Sequence, residues 1–596
     1  MTHRRIRYCM VAYRMIARGM MASCIPAGLW IACVLQAAPA IFPLKDVRAG
    51  QHGVGRTVFS GMKVEEFDVE ILGVLDNIGP RQSIILARLS GGPLANTGVM
   101  QGMSGSPVYI DGKLVGAVAL SFPQSKEPIA GIRPIEDMLR VEPKPANDSA
   151  RQLAANIPPR RSPVIAGPFF TKETRLEEIA TPVAFSGFTS STLDHFAPQL
   201  RTLGLDPRQG ISGGGAPGDR LGDPKKLEPG SMISVQLLAG DLSVGADGTV
   251  TAIDGDRIYA FGHRFLAAGP TEMPFAQAEV LALLPNLTNS FKISTAREWM
   301  GSITADRDTA IAGVTGRAAS MIPVEIRVGS NTYRMRMVQD RVMTPLLTQM
   351  AVFSAIDATE RSIGPETYSI RGQIDFDAGP VRIDDVYSGD VAVAAIASGG
   401  VASTLGFALQ SGFDALKIKS LTLDVRPVEK RGQSQIIDFI APRTARPGQE
   451  LDLVVVLGGA NGTETSRHVR YRVPVGAASG PLYFTVADAT ATNILEYQAA
   501  VGTPQHSPAE VLNLLNGLRS NTKAYLRVWR SVPSFTVEGR DLPAPPASLA
   551  MLLTRAQTGS TNLVSARGAK LAELEVSPGP GLVVTGTKTV QIEVKE

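Results

Sequence analysis

The chain has 596 residues, of which 44% are hydrophobic and 19% charged, and it carries a formal charge of +4. That length is too great for one core and predicts about three or four domains. Five positive charges are Arg4, Arg5, Arg7, Arg14 and Arg18, so the remainder is formally −1, which argues against a nucleic-acid partner.

Residues 1–40 read as a signal peptide. The basic stretch ends at Arg18, no charge follows until Lys45, Met20 to Val34 is largely apolar, and Ala38-Pro39-Ala40 is a small-x-small cleavage site. The alternative is an uncleaved anchor, since Gly19 to Leu44 is long enough to span a bilayer. Cys9, Cys24 and Cys33 all lie in this leader, so a chain cut after it holds no disulfide, catalytic thiol or thiolate metal site. The expected location is outside the cytoplasm: periplasmic, extracellular or envelope-associated.

Residues 41–141 read as a compact all-β unit. Glycines punctuate its start, Val64 to Val74 alternates in part, and Ser83 to Leu89 is apolar. The informative stretch is VMQGMSGSPVYIDGKLVGAVAL, Val99 to Leu120. Pro107 to Ile110 and Lys113 to Leu120 form two strands around Asp111-Gly112, a two-residue hairpin signal. Gly102 and Gly105 let backbone N–H groups converge beside Ser104. A serine nucleophile needs that arrangement, an exposed hydroxyl and an oxyanion hole; a plain Gly/Ser turn before a hairpin shares the spacing.

Residues 142–228 read as a linker followed by a small inserted α/β region, with prolines at 143, 145, 158 and 159 and a helix over Ser190 to Leu205. Residues 229–345 hold the second informative stretch. GTVTAIDGDRIYAFGHRF gives strand, Asp254-Gly255 turn, strand, then His263 after Gly262. His52, His195, His468 and His506 show no metal spacing or base-site context, and no cofactor is expected.

Residues 346–415 read as a helical or mixed connector, with a helix over Thr344 to Ala358 and a charge-free stretch, Val391 to Phe413, too rich in Gly and Ser for a good membrane span. Evenly spaced strands predict a β-sandwich over 416–490. Residues 491–596 read as a C-terminal α/β region, opened by the capping box Ser507-Pro508-x-Glu510.

The run GMSGSPVYIDGKLVGAV, followed by EPIAGIRPIEDML, resembles the serine region of the SpoIVB-type serine peptidases. The Gly-His step closing a β-hairpin at His263 resembles that family's histidine region. The resemblance implies a mainly β fold with two trypsin-like barrel halves. It implies Ser104 as nucleophile, His263 as general base and a protein or peptide substrate, with Gly102 and Ser104 N–H groups as the oxyanion hole. Two departures stand out. In the family the histidine half precedes the serine half; here Ser104 comes first, as in a circular permutation. The family's aspartate before the serine is missing, since Arg88, Leu89 and Ser90 occupy that region. Asp306, in ITADRDTAIAG, follows His263 at a distance suited to a trypsin-like order. An intact site requires the Ser104 Oγ within about 4 Å of a His263 ring nitrogen. The rival reading is a catalytically inactive peptidase-like scaffold, with envelope partners bound through the C-terminal β domains in either case.

Overall fold

The computed structural model describes residues 40–596 except 80, 123–124, 142–176, 180–181, 211, 214–217, 219, 288, 360–365, 390–391, 429–431, 460–461, 502–506, 533, 538–539, 544, 557–562, 567 and 580–581. The leader and most of the proline-rich linker lie outside the described residues.

Six strands make the first barrel: β1 (His52–Val58), β2 (Val64–Gly79), β3 (Gln82–Ser90), β4 (Pro107–Ile110), β5 (Lys113–Ser121) and β6 (Ile129–Pro134). They are hydrogen-bonded in the order β4-β1-β2-β3-β6-β5, and β5 pairs back onto β4 to close the ring. The period-2 pattern dictates which face turns inward. In β2, Phe67, Val69 and Ile71 are buried while Glu66 and Asp68 face water. These side chains meet Ile85, Leu89, Val108, Val115, Val118 and Ile132 in one core, each worth about 1.5–3 kcal/mol of burial. The β4–β5 turn is the expected one: Asp111 and Gly112 both have positive φ, 49° and 73°.

Six more strands make the second barrel: β7 (Met232–Gly240), β8 (Ser243–Asp254), β9 (Arg257–Ala260), β10 (Gly269–Leu284), β11 (Phe291–Arg307) and β12 (Ala310–Thr315). Their ring runs β10-β7-β8-β9-β12-β11, and β11 pairs back onto β10. Strand for strand this is the connection order of the first barrel. Closure removes exposed sheet edges from both. The β8–β9 loop differs by one residue from the sequence expectation. Asp254 pairs with Arg257, so the loop is Gly255-Asp256, and only Gly255 has positive φ, 63°. A Gly-x loop needs the left-handed conformation at its first position alone.

The second barrel's sheet continues outward. Strand Asn331–Val338 pairs with the end of β7, and Met321–Val328 pairs with Asn331–Val338. On the other side, Pro182–Ser186 pairs with β8, and Asp206–Gln209 lies parallel to Pro182–Ser186. The helix between them, Ser190–Thr202, is capped by the Thr189 side chain. Helix Met343–Thr359 packs against Val393–Gln410 in the same core. Val393–Gln410 is long and apolar enough to cross a membrane, and 44% of it is buried inside the protein.

The sandwich boundary moves. Ile418–Pro427, expected to open the sandwich, instead runs parallel to Met321–Val328 in the second barrel's extended sheet. The sandwich takes its remaining strands from the C-terminal region. One sheet joins Glu464–Arg472, Glu450–Gly459, Gln433–Ile440 and Val583–Thr585. The other joins Thr444–Ala445, Thr587–Val594, Gly480–Asp488, Ala524–Arg530 and Ala569–Val576. Apolar residues from 436 to 594 form its core. The serine half of the capping box is present: Ser507 caps helix Pro508–Asn516 by accepting from the Glu510 N–H.

Candidate active site

The serine turn lies between β3 and β4. Gly102 and Gly105 have φ of 92° and 93°, a region L side chains avoid. The turn's amides are engaged alternately. Gln101 N–H donates to the Ser290 carbonyl at 2.9 Å, Met103 to Met100 at 3.1 Å, Gly105 to Val118 at 2.7 Å and Ser106 to Met103 at 2.9 Å. Among the described residues, the N–H groups of Gly102 and Ser104 donate to nothing. Two free backbone donors, one on the serine and one two residues before it, are what an oxyanion hole requires. Ser106 has its own amide committed.

The histidine sits on the connection between β9 and β10, the same position in its barrel that the serine turn occupies between β3 and β4. Phe261 and Gly262 both have φ of 70°. For Phe261 that backbone costs on the order of 1–3 kcal/mol. The surroundings enforce it: the ring is fully buried and lies where Gly248 has no side chain. His263 Nδ1 is 2.7 Å from the Arg264 carbonyl oxygen. A carbonyl only accepts, so this bond places a proton on Nδ1 and makes Nε2 the basic nitrogen of the neutral ring.

Asp306, at the end of β11, is buried. Its carboxylate accepts the N–H groups of Phe265 at 2.8 Å, Leu266 at 2.6 Å and Ala268 at 3.2 Å. It therefore fastens the backbone of the histidine loop, and no hydrogen bond joins it to the His263 ring. Burial pushes its pKa up, against the pull of those three amides and of Arg264.

The two turns meet at the barrel interface. Strand β8 presents Val244, Ala246 and Val250 to its own core, while Thr249 and Thr251 on the opposite face turn toward the first barrel. The Thr249 N–H donates to the Ser104 carbonyl at 2.8 Å. The Thr249 hydroxyl donates to the Gly102 carbonyl at 2.9 Å, and the Thr251 hydroxyl to the Gly105 carbonyl at 2.7 Å. A Cβ at residue 105 would overlap the Thr249 carbonyl. A Cβ at residue 262 would lie 3.4 Å from the Val118 carbonyl oxygen, the acceptor for Gly105. Ser104 and His263 are therefore carried by turns in direct contact, each nearly sealed from solvent at 1% and 2% exposure. The Ser104 Oγ makes no hydrogen bond, so none joins it to the histidine.

Residues the sequence reading missed surround the same turn. Lys292, near the start of β11, is 3% exposed, and its Nζ donates to the Thr57 hydroxyl at 2.8 Å. Asp247 on β8 accepts from Ser294. Burial pushes Asp247 up and Lys292 down, the latter to about 7 even though Asp247 pulls it upward. Buried side-chain polar atoms without partners concentrate here: Gln101 Oε1, Ser104 Oγ, Ser106 Oγ and Asp247 Oδ1, with only Thr304 and Thr492 elsewhere among the described residues. Such groups cost free energy and cluster at functional sites. The sequence signal was a lysine inside the strand FKISTA and the alternation Asp247, Thr249, Thr251.

The remaining described histidines are accounted for by packing or surface position. His52 is exposed, His195 stacks on Phe353 at 5.1 Å, and His468 meets Asp452 at 3.1 Å on the surface. His506 lies outside the described residues. Among the described residues, no group of three His, Cys, Asp or Glu is placed to hold a metal.

The family model of the SpoIVB peptidase S55 matches residues 34–139. The matched segment is the serine-bearing barrel; the histidine-bearing barrel lies outside it. No curated protein and no solved structure matches the chain. The match gives residues 34–139 a SpoIVB-type assignment and agrees with the peptidase-like architecture of the two barrels.

Proposed function

We propose that the protein is an exported serine endopeptidase of the SpoIVB type. Ser104 is its nucleophile and His263 its general base. The observation that carries this reading is the pair of free N–H groups on Gly102 and Ser104, in a turn that commits the amides of Gln101, Met103, Gly105 and Ser106 elsewhere.

In the proposed reaction His263 Nε2 takes the Ser104 proton as Oγ attacks the scissile carbonyl. The carbonyl oxygen becomes an oxyanion between the Gly102 and Ser104 amides. Collapse expels the amine, which takes the proton back from Nε2 and leaves an acyl-serine that water hydrolyses. The Arg264 carbonyl fixes the tautomer that a carboxylate fixes in a Ser-His-Asp triad, and Asp306 holds the loop on which the ring is mounted. Ser104 and His263 are buried and not hydrogen-bonded to each other, so substrate has to open the cleft before the proton transfer aligns, as catalytic geometry often tightens only in the complex. Export is supported by the basic and apolar leader ending at Ala40. The sandwich is the surface we assign to envelope partners.

The test is labelling by a fluorophosphonate probe, located by peptide mass. Wild type should be modified at Ser104, S104A should lose about 10⁶ in hydrolytic rate, and S106A should retain more activity. Failure of the wild type to label or hydrolyse peptides would favour the inactive scaffold. Intact mass of exported protein tests the leader; retention of Cys9, Cys24 and Cys33 would refute cleavage.

A further inference from the structure

We propose that Lys292 is a positioning residue of this site. It is a buried cation that braces the oxyanion turn between the two barrels. The proposal rests on the peptidase reading for its kinetic consequence, though not for its structural one.

Three contacts place it. The backbone of β11 runs beside the turn: Gln101 N–H donates to the Ser290 carbonyl, and Lys292 N–H donates to the Gln101 carbonyl at 3.2 Å. The lysine stem then covers the open face of Gly102. A Cβ built there would lie 3.1 Å from Lys292 Cδ and 3.2 Å from the Met232 methyl. The ammonium ends on Thr57 of the first barrel, while its counter-charge, Asp247, belongs to the second. One side chain thus touches the glycine that supplies an oxyanion donor and ties it to both barrels.

The brace works through charge. Asp247 is the ionisable group acting on Lys292 among the described residues. The other groups bonded to this pair, Thr57 on Lys292 and Ser234 and Ser294 on Asp247, are neutral. Removing the proton leaves a neutral amine with no Coulomb attraction to Asp247. Burial holds the lysine at about 7, so that loss falls near neutrality. The turn is held below this pH and slackens above it, on the opposite side from the acid limb caused by protonation of a general base.

The experiment compares wild type, K292M and D247N in full-length protein. The first readout is the rate of fluorophosphonate labelling at Ser104 against pH. Wild type should show an alkaline decline centred near 7. K292M, similar in length and apolar, should label at least about tenfold more slowly below that point and show no decline. In D247N the decline should move to lower pH, because Asp247 raises the lysine's pKa. A merely structural role would scale the whole profile without moving it. The same alkaline decline in K292M as in wild type overturns the proposal. The second readout needs no activity: hydrogen exchange of peptides covering residues 98–106. K292M should exchange faster there at pH 6 than wild type; equal protection overturns the brace. If wild type never labels but K292M still loses protection, the brace stands and the peptidase reading fails.

Discussion

Gly105 shows how little freedom the serine turn has. Its φ of 93° suits glycine, and any Cβ would overlap the Thr249 carbonyl. We expect G105A to lose on the order of 3 kcal/mol, read by urea unfolding, and to abolish Ser104 labelling because the barrels no longer seat. Stability equal to wild type would show that the interface yields. Thr249 offers a milder probe of the same contact. T249V keeps the shape but removes the hydroxyl bond to the Gly102 carbonyl, and should cost about 1–2 kcal/mol while slowing labelling. An unchanged rate would mean that this carbonyl does not help aim the Gly102 amide. The turns that carry Gly102, Ser104 and His263 were legible in sequence because their signals are local: a glycine pair before a hairpin, and a Gly-His step after one. Lys292 and Asp247 were not. They face each other only once the strands of the second barrel have closed, Lys292 reaches Thr57 only once the two barrels dock, and no local spacing encodes either pairing.

At the scale of the element, the histidine loop is held by one carboxylate. Asp306 receives three backbone N–H groups, with Leu266 and Ala268 sharing Oδ2. An amide nitrogen at that position cannot accept, so D306N should lose about 2 kcal/mol and speed hydrogen exchange over residues 261–268. Unchanged exchange would refute the clamp. The pH dependence has a definite sign. Burial raises the Asp306 pKa, so the folded chain keeps this proton to higher pH than the unfolded chain. Its contribution to stability is present below the ordinary aspartate range and is lost as pH rises through the raised value. The stability advantage of wild type over D306N should therefore shrink as pH climbs, and a widening gap would contradict it. The sequence singled out Asp306 by its distance after His263, as a partner for the ring. It gave no way to tell whether the acceptor serves a ring or a backbone, since that depends on how the loop folds over it. Ile418–Pro427 carries a similar lesson. Its alternation of Leu421, Leu423 and Val425 with polar residues fits any half-buried sheet, and long-range pairing alone decided which one.

Across the whole molecule, the two barrels share one order of strand connection, and the same connection carries Ser104 in one and His263 in the other. Hydrogen bonds from Thr249, Thr251, Ser290 and Lys292 join them. A protease site inserted between residues 142 and 176 should therefore allow the folded chain to be nicked without loss of Ser104 labelling. Separation of the two pieces on a sizing column would refute a self-sufficient interface. The order of the barrels also sets a schedule. During synthesis the serine barrel is complete when β6 leaves the ribosome, whereas β12 follows roughly ten to forty seconds later at about 5–20 residues per second. Through that interval the nascent chain holds Ser104 without His263 and a turn without Thr249. On the proposed peptidase reading the nascent chain is silent toward its neighbours on the same polysome, and hydrolysis begins only when the second ring closes.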